Sequence, residues 1–129
     1  WLPLIEACAE SNLFKELHPE GDAAAVEWFL LAQAQNPNAI CNCIAIAREN
    51  ARQIREVIPN ELFEELNALH LDLQPGESFW QQALPEQLQL IRRGCQQLYG
   101  IADSSMRRDI SWHFANLGRL IERAEKTAD

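Results

Sequence analysis

The sequence predicts an all-α protein, an antiparallel bundle of about five to seven helices. Apolar residues recur at steps of three and four along several segments, and proline, asparagine and aspartate separate those segments. No stretch combines polar–apolar alternation with β-branched residues, as a strand would. The chain of 129 residues suits one core. We expect residues 1–129 to be a single all-helical domain from a longer chain, because the sequence begins without methionine.

Composition and charge argue against several classes of partner. The 19 acidic residues exceed the 11 basic residues, and the net charge of -8 repels nucleic-acid phosphates and anionic lipid head groups. No uncharged apolar stretch approaches the roughly 18 residues that a membrane span needs; residues 39–47 form such a stretch of only nine. The start of the chain does not resemble a signal peptide. We therefore expect a cytoplasmic protein that binds neither nucleic acid nor membrane.

In the first half of the chain, we expect two short helices within residues 1–17. Asp22 is a typical N-cap residue for a buried helix, which ends at Asn36-Pro37-Asn38. Asn38 then caps a longer helix that we expect to continue to Pro59. Its predicted core stripe consists of Ile40, Cys43, Ile44, Ala47, Ala51, Ile54 and Ile58.

Three further helices are predicted in the second half. Asn60 caps the first, which residues 74–78 interrupt. Pro85 suits the first turn of the second, which we expect to end between Gly100 and Ser105. Its stripe consists of Leu84, Leu88, Ile91, Cys95, Leu98 and Ala102. Asp109 caps the last helix, whose predicted core face consists of Ile110, His113, Phe114, Leu117, Leu120, Ile121 and Ala124.

Known catalytic and metal-binding patterns are missing from the sequence. The four cysteines show no CxxC spacing, so we expect no zinc site. Cys43 and Cys95 lie on predicted apolar stripes, where a thiol behaves as a small hydrophobic group. There is no P-loop, GxGxxG, GxSxG or HExxH motif. We expect neither a metal nor a cofactor.

The last predicted helix carries an unusual set of residues opposite its apolar face. Trp and Ala share this side with charged residues, a combination that is rare on a solvated face. The set is Trp112, Ala115, Arg119, Glu122 and Arg123. Two interpretations are open. The set forms an internal polar seam between two layers of the bundle, or it is ordinary surface charge beside one exposed Trp.

The helix that follows Asn38 raises the same question. Glu49 and Arg52 are spaced to pair at i,i+3, and Arg52 and Glu56 at i,i+4. Such pairs are usually surface features. If they meet the charged residues of the last helix instead, removal of one partner would leave a buried charge. The sequence does not distinguish these two arrangements.

Two strings resemble the bacterial alpha-E family, which is named for an all-helical domain with a recurrent Glu-Arg motif. The first runs from Asn36-Pro37-Asn38-Ala39-Ile40 to Ala47-Arg48-Glu49-Asn50-Ala51-Arg52. The second runs from Trp112-His113-Phe114 to Leu117-Gly118-Arg119-Leu120-Ile121-Glu122-Arg123-Ala124. One departure is Ala39, where the family usually has serine. The resemblance therefore implies that a hydroxyl is not required at this position.

The resemblance implies an intracellular all-α protein encoded with, or fused to, ATP-grasp-type ligases and transglutaminase-like proteins. It places the chain in the middle of a longer family member, with an uncovered helix face around residues 112–123 that would favour a homodimer or aggregation. No catalytic residue is carried over. The expected binding residues are Arg48, Glu49, Asn50, Arg52, Trp112, Arg119, Glu122 and Arg123.

The leading hypothesis is a non-catalytic module that binds or regulates an ATP-grasp-type ligase in a peptide-forming or peptide-modifying system. One alternative is a transferase or hydrolase acting on peptide or amino-acid substrates. It would use Glu49 or Glu122 as acid or base and Arg123 to bind a carboxylate. A further alternative is a purely architectural role for the charged residues.

Overall fold

The computed structural model describes residues 3, 5 and 10–128, with side chains up to residue 124. In this part of the chain there are six α-helices and no β-strand, so the all-α prediction is confirmed. The helices are α1 Ser11–Leu17, α2 Ala23–Leu31, α3 Ile40–Gln53, α4 Asn60–Asp72, α5 Leu84–Ser105 and α6 Ile110–Ala128, and a 3-10 turn, Ser78–Gln81, precedes α5. Of the two helices predicted within residues 1–17, α1 is the second. The first falls on residues that are mostly outside the described part.

The helix starts follow the predicted capping signals at three of five positions. Asp22 Oδ1 accepts a hydrogen bond from the Ala25 N–H at 2.9 Å, and Asp109 Oδ1 accepts one from the Trp112 N–H at 3.2 Å. Pro85 lies in the first turn of α5, as predicted. Asn38 and Asn60 are not caps, which corrects two predictions. The N-cap residues of α3 and α4 are Ala39 and Pro59, and neither has a side-chain capping bond.

The end of α3 also differs from the prediction, because the helix stops at Gln53 rather than near Pro59. The residue before a proline disfavours the α conformation, and the β-branched residues of this segment are weak helix formers. The next five residues therefore form turns. Arg55 holds this turn, since its Nη1 donates to Asn60 Oδ1 at 2.5 Å and its guanidinium lies 4.6 Å from the Phe63 ring centroid.

Two clusters of buried apolar side chains form the interior. The smaller contains Ile5, Phe14, Val26 and Phe29, and it joins α1 to α2. The larger joins α2 to α5 and contains Leu31, Ile44, Leu66, Leu69, Leu73, Phe79 and Ile91. Helix α4 packs against both α3 and α5. The α4 helix is therefore the centre of the described bundle.

The buried faces of α3 and α5 are rotated about the helix axis by about 50° from the predicted stripes, half of the angle between successive residues. Cys43 and Cys95 are exposed, whereas Cys41 packs against the larger core. The prediction that Cys43 and Cys95 are core residues is therefore wrong. On α5 the cause is Gly94, where an added Cβ would lie 2.8 Å from Leu69 Cδ1. The missing side chain lets α4 approach this side of α5.

The 3-10 turn, Ser78–Gln81, contacts several of the helices that form the larger core. Phe79 is almost fully buried, and its carbonyl accepts a hydrogen bond from the Gln87 side-chain amide at 3.1 Å. Trp80 Nε1 donates to the carbonyls of Leu73 and Gln74, at 3.3 Å and 3.1 Å, just after α4 ends. The Trp80 ring also contacts Trp28 of α2, with 5.6 Å between the ring centroids. This turn therefore links α2, α4 and α5.

Asn36 forms a buried polar junction between α2 and α3. It is fully buried, and its side-chain Nδ2 donates to the Phe29 carbonyl at 2.9 Å. Its Oδ1 accepts from the Asn38 N–H, also at 2.9 Å. The Asn36 carbonyl accepts from Asn42 Nδ2 of α3 at 2.7 Å, and the same amide reaches the Gln33 carbonyl at 3.0 Å. The bond to Phe29 satisfies a carbonyl that the end of α2 leaves without a helical partner, and the bonds from Asn42 join α3 to the connecting loop.

The last helix is oriented differently from the prediction. The apolar residues expected to face the core are more than half exposed in the described structure: Ile110, Phe114, Leu117, Leu120 and Ile121. The opposite side of α6, with Trp112, Ala115 and Arg119, lines a cleft with the end of α5. Contacts between arginine and aromatic rings hold this side, as described below. We call the exposed set the α6 apolar stripe.

Substitution of Asn36 by alanine should strongly destabilise the fold. It removes both side-chain hydrogen bonds and leaves the Phe29 carbonyl and the Asn38 N–H without partners. We expect a loss of about 3 kcal/mol, which a thermal melt would record as a fall in Tm of about 10 °C. The control is Asn38→Ala, an exposed side chain whose loss should change Tm by no more than about 2 °C. An equally small shift for Asn36→Ala would contradict the role assigned to this junction.

Candidate binding surface

The end of α5 and the start of α6 form a cluster of arginine and aromatic side chains. The Arg119 guanidinium lies 4.5 Å from the Tyr99 ring centroid, and that of Arg108 lies 4.1 Å from the Trp112 ring. Arg119 Nη2 also donates to Asn116 Oδ1 at 2.5 Å. We call these five residues the α5–α6 corner. A cleft of about 100 Å³ lies between the two helices here.

Both arginines of the α5–α6 corner remain accessible. Arg108 makes an ion pair with Asp103 at 3.2 Å, with 57% of its side chain exposed. Arg119 is exposed, and Trp112 and Asn116 are half-buried. A guanidinium that lies on an aromatic ring is held in place while its N–H groups stay available to a carboxylate. The corner therefore presents two exposed guanidinium groups held against aromatic rings, of which that of Arg108 is already paired with Asp103.

Glu122 and Arg123 are exposed on α6, one turn beyond Arg119. They lie on the side of the helix opposite the α6 apolar stripe. By their spacing alone, these charges fit either an internal seam or a surface. Their exposure favours the surface interpretation.

A second predicted group lies on α3. Arg52 donates to both carboxylate oxygens of Glu49, at 2.9 Å from Nε and 2.6 Å from Nη2. The two side chains are 60% and 46% exposed, and Asn50 beside them is exposed. The hydrogen bond from Arg52 holds the pKa of Glu49 below its usual value. This arrangement keeps the carboxylate ionised, whereas a general acid or base needs a pKa near the working pH.

Arg48 differs from its neighbours because it contacts another helix. Its Nε donates to Asn67 Oδ1 of α4 at 2.7 Å, and its side chain is half-buried. The rotation of the buried face of α3 brings Arg48 to this position. Nearby on α4, burial lowers the pKa of His70, and the charge of Arg48 lowers it further. Arg48 thus stabilises the α3–α4 contact.

The two predicted groups belong to separate parts of the described surface. The contacts of Glu49 and Arg52 are made within α3. Arg119 contacts Asn116 of α6 and Tyr99 of α5, and Trp112 contacts Arg108 in the turn between these helices. The expected binding role of all eight residues stays a prediction. Sequence reasoning missed Tyr99, Arg108 and Asn116. The spacing of Arg108 from Trp112 and of Asn116 from Arg119, four and three residues along the chain, was a usable signal.

A groove of about 370 Å³ runs between α4 and α5 and contains none of the predicted site residues. Its charged lining consists of Glu65, Asp72, Glu86 and Arg93. Among the described residues, no group of His, Cys, Asp and Glu side chains is arranged to hold a metal ion. None of the helices in the described part has the length and apolar character of a membrane span.

The fold defines a class: an all-α helical bundle, in the part of the chain that the structure describes. The chain belongs to the Alpha-E family. The family model, described as a predicted alpha-helical domain with a conserved ER motif, matches residues 1–129. The dipeptide Glu-Arg occurs once in this sequence, at Glu122-Arg123. Comparisons with curated proteins and with solved structures found no match.

The fold should lose stability as the pH falls through about 6.5, the ordinary pKa of histidine. The pKa of His70 is lowered in the fold, so the unfolded chain takes up the proton first and protonation favours unfolding. This stabilisation is present above the unfolded pKa and declines below it. Thermal melts from about pH 8 to about pH 5 should show a smaller decrease for His70→Gln than for the wild type. Identical pH profiles would contradict this role.

Replacement of Arg123 by alanine should have little effect on stability. The side chain is exposed, and we expect Tm to stay within about 2 °C of the wild type. Asn36→Ala, melted in parallel, supplies the destabilised reference. A fall of about 10 °C for Arg123→Ala would instead mean that Arg123 belongs to a buried charge network.

Proposed function

We propose that this protein is a non-catalytic, cytoplasmic module that binds and regulates an ATP-grasp-type ligase in a peptide-forming or peptide-modifying system. The observation that carries the proposal is the α5–α6 corner, where two accessible guanidinium groups are held on aromatic rings. Arginine and aromatic residues supply most of the binding free energy at protein interfaces. The expected association with such ligases comes from the family resemblance.

The partner surface should be acidic. Four arginines lie at the α5–α6 turn and along α6, namely Arg107, Arg108, Arg119 and Arg123, in a chain that is otherwise strongly acidic. The planar guanidinium fork suits a carboxylate, which it binds through two parallel hydrogen bonds. A carboxylate-rich patch on the ligase would therefore bind this face of the protein rather than the rest of its acidic surface.

Glu49 and Glu122 give the enzyme alternative less support. Glu49 is held ionised by Arg52, and its pKa moves away from neutrality rather than toward it. Glu122 is exposed. Carboxylates that act as general acids are desolvated so that their pKa rises. A binding role requires no such shift.

Co-expression with the ATP-grasp-type ligase should give a complex and a changed ligase rate. Arg119→Glu and Arg123→Glu, tested separately, should each weaken binding by roughly tenfold or more, since each reverses a charge at the interface. Titration calorimetry would measure the affinity. The matched control is Arg92→Glu, an exposed arginine on α5 away from the corner, which should bind like the wild type.

Three outcomes would overturn this proposal. One is the absence of both a complex and a rate change with the ligase. Another is equal binding by all three charge-reversal variants. The third is turnover by the isolated protein that Glu122→Gln abolishes while the fold is kept, which would establish the enzyme alternative. A complex with the transglutaminase-like protein alone would replace the ligase as the partner.

A further inference from the structure

The cleft at the α5–α6 corner is lined mainly by apolar groups. The rings of Tyr99 and Trp112 line it, together with the small or flexible side chains of Ala102, Met106 and Ala115. Its volume of about 100 Å³ is somewhat less than the roughly 150 Å³ of an apolar cavity that holds a benzene molecule. The cleft therefore has room for one aliphatic side chain.

Two charged side chains, Asp103 and Arg119, also line the cleft. Asp103 is paired with Arg108 at 3.2 Å, so its charge is balanced. The contacts of Arg119 in the described structure are with the Tyr99 ring and with the neutral side-chain amide of Asn116. Arg119 therefore supplies the unbalanced charge of the cleft. That charge is positive, whereas the whole chain has a net charge of -8.

The Arg119 guanidinium is held in place and keeps donors in reserve. It lies on the Tyr99 ring, and only its Nη2 is used to bind Asn116, so most of its five N–H donors remain for a carboxylate. A guanidinium that is already fixed loses little rotamer freedom when it binds. Because Arg119 itself lines the cleft, a carboxylate on Arg119 and an apolar group in the cleft would come from adjacent positions of one ligand.

We infer that the α5–α6 corner recognises an aliphatic residue directly beside an acidic residue within an exposed segment of a partner protein. The aliphatic side chain enters the cleft, and the neighbouring carboxylate binds Arg119. This inference rests on the binding role proposed above and specifies what the corner recognises. The apolar lining alone would accept any aliphatic side chain, and the cation alone would accept any carboxylate. The two requirements together distinguish such a segment from other acidic surfaces.

Titration of the purified protein with short capped peptides tests the inference. The reference peptide is acetyl-glycyl-leucyl-aspartyl-glycinamide, and the indole N–H signal of Trp112 in an NMR spectrum reports binding at the cleft. Two peptides with a single change replace the aspartate by asparagine or the leucine by glycine. Each should bind roughly tenfold more weakly than the reference, because one of the two interactions is lost.

A peptide that ends in leucine carries the same two chemical groups, a side chain and a nearby carboxylate. Acetyl-glycyl-leucine with a free terminal carboxylate therefore distinguishes a chain terminus from an internal segment. We expect it to bind more weakly than the reference peptide. Tighter binding of this peptide would overturn the assignment to an internal segment.

A variant that fills the cleft tests the apolar part of the site. Ala115→Leu adds bulk at the cleft and leaves Arg119 in place, so it should weaken binding of the reference peptide roughly tenfold. Ala68→Leu is the matched control, because it adds the same group to an exposed position on α4, and it should bind like the wild type. Arg119→Gln should remove the preference for aspartate over asparagine. Circular dichroism checks that each variant keeps its helices.

Three results would overturn the inference: no titration by the reference peptide up to about 10 mM, equal binding of the three capped peptides, or equal binding by Ala115→Leu and Ala68→Leu. The outcome is separate from that of the ligase experiment. A ligase complex that forms normally with Ala115→Leu would overturn this recognition and keep the proposed function. Peptide binding without any ligase complex would keep the recognition and overturn the ligase as the partner.

Discussion

The hydrogen bonds of Asn36 are the constraint on which the first half of this fold depends. Helix α2 ends in the interior, where unpaired carbonyl groups are costly. One buried amide satisfies the Phe29 carbonyl and fixes the N–H of Asn38, and Asn42 of α3 donates to the carbonyls of Gln33, Ala34 and Asn36 in the connecting loop. The junction therefore ties the start of α3 to the loop that follows α2. Within the Asn-Pro-Asn string, Asn36 therefore has a structural role, and Ala39 beside the string is fully buried.

The fold class and most helices could be predicted because spacing, capping residues and prolines are local signals. Asp22, Pro85 and Asp109 each act within one turn of their own position. The rotation of α3 and α5 could not be predicted, because it depends on a neighbour in space. Gly94 lets Leu69 approach, and only the packed structure reveals that this side of α5 meets α4. The exposure of Cys43 and Cys95 follows from the same rotation.

The candidate site was predictable in composition and less so in geometry. The charged and aromatic residues opposite the apolar side of α6 were recognised as unusual; Arg119 contacts Tyr99 of α5, and Trp112 lines the cleft between the two helices. The core face assigned to α6 was wrong, because hydrophobic periodicity identifies an amphipathic helix without saying which protein surface covers it. Tyr99 lies on another helix, so its contact with Arg119 required a tertiary structure.

The 3-10 turn affects how the protein unfolds. Phe79 and Trp80 are adjacent in the chain, yet they contact the core, the end of α4 and the Trp28 ring of α2. No helix of this group can separate from the others without breaking a contact of the turn. The four-residue segment therefore couples sequence-distant helices into one cooperative unit. A turn of four residues that lay only at the surface would make none of these contacts, and α2, α4 and α5 would be free to unfold independently.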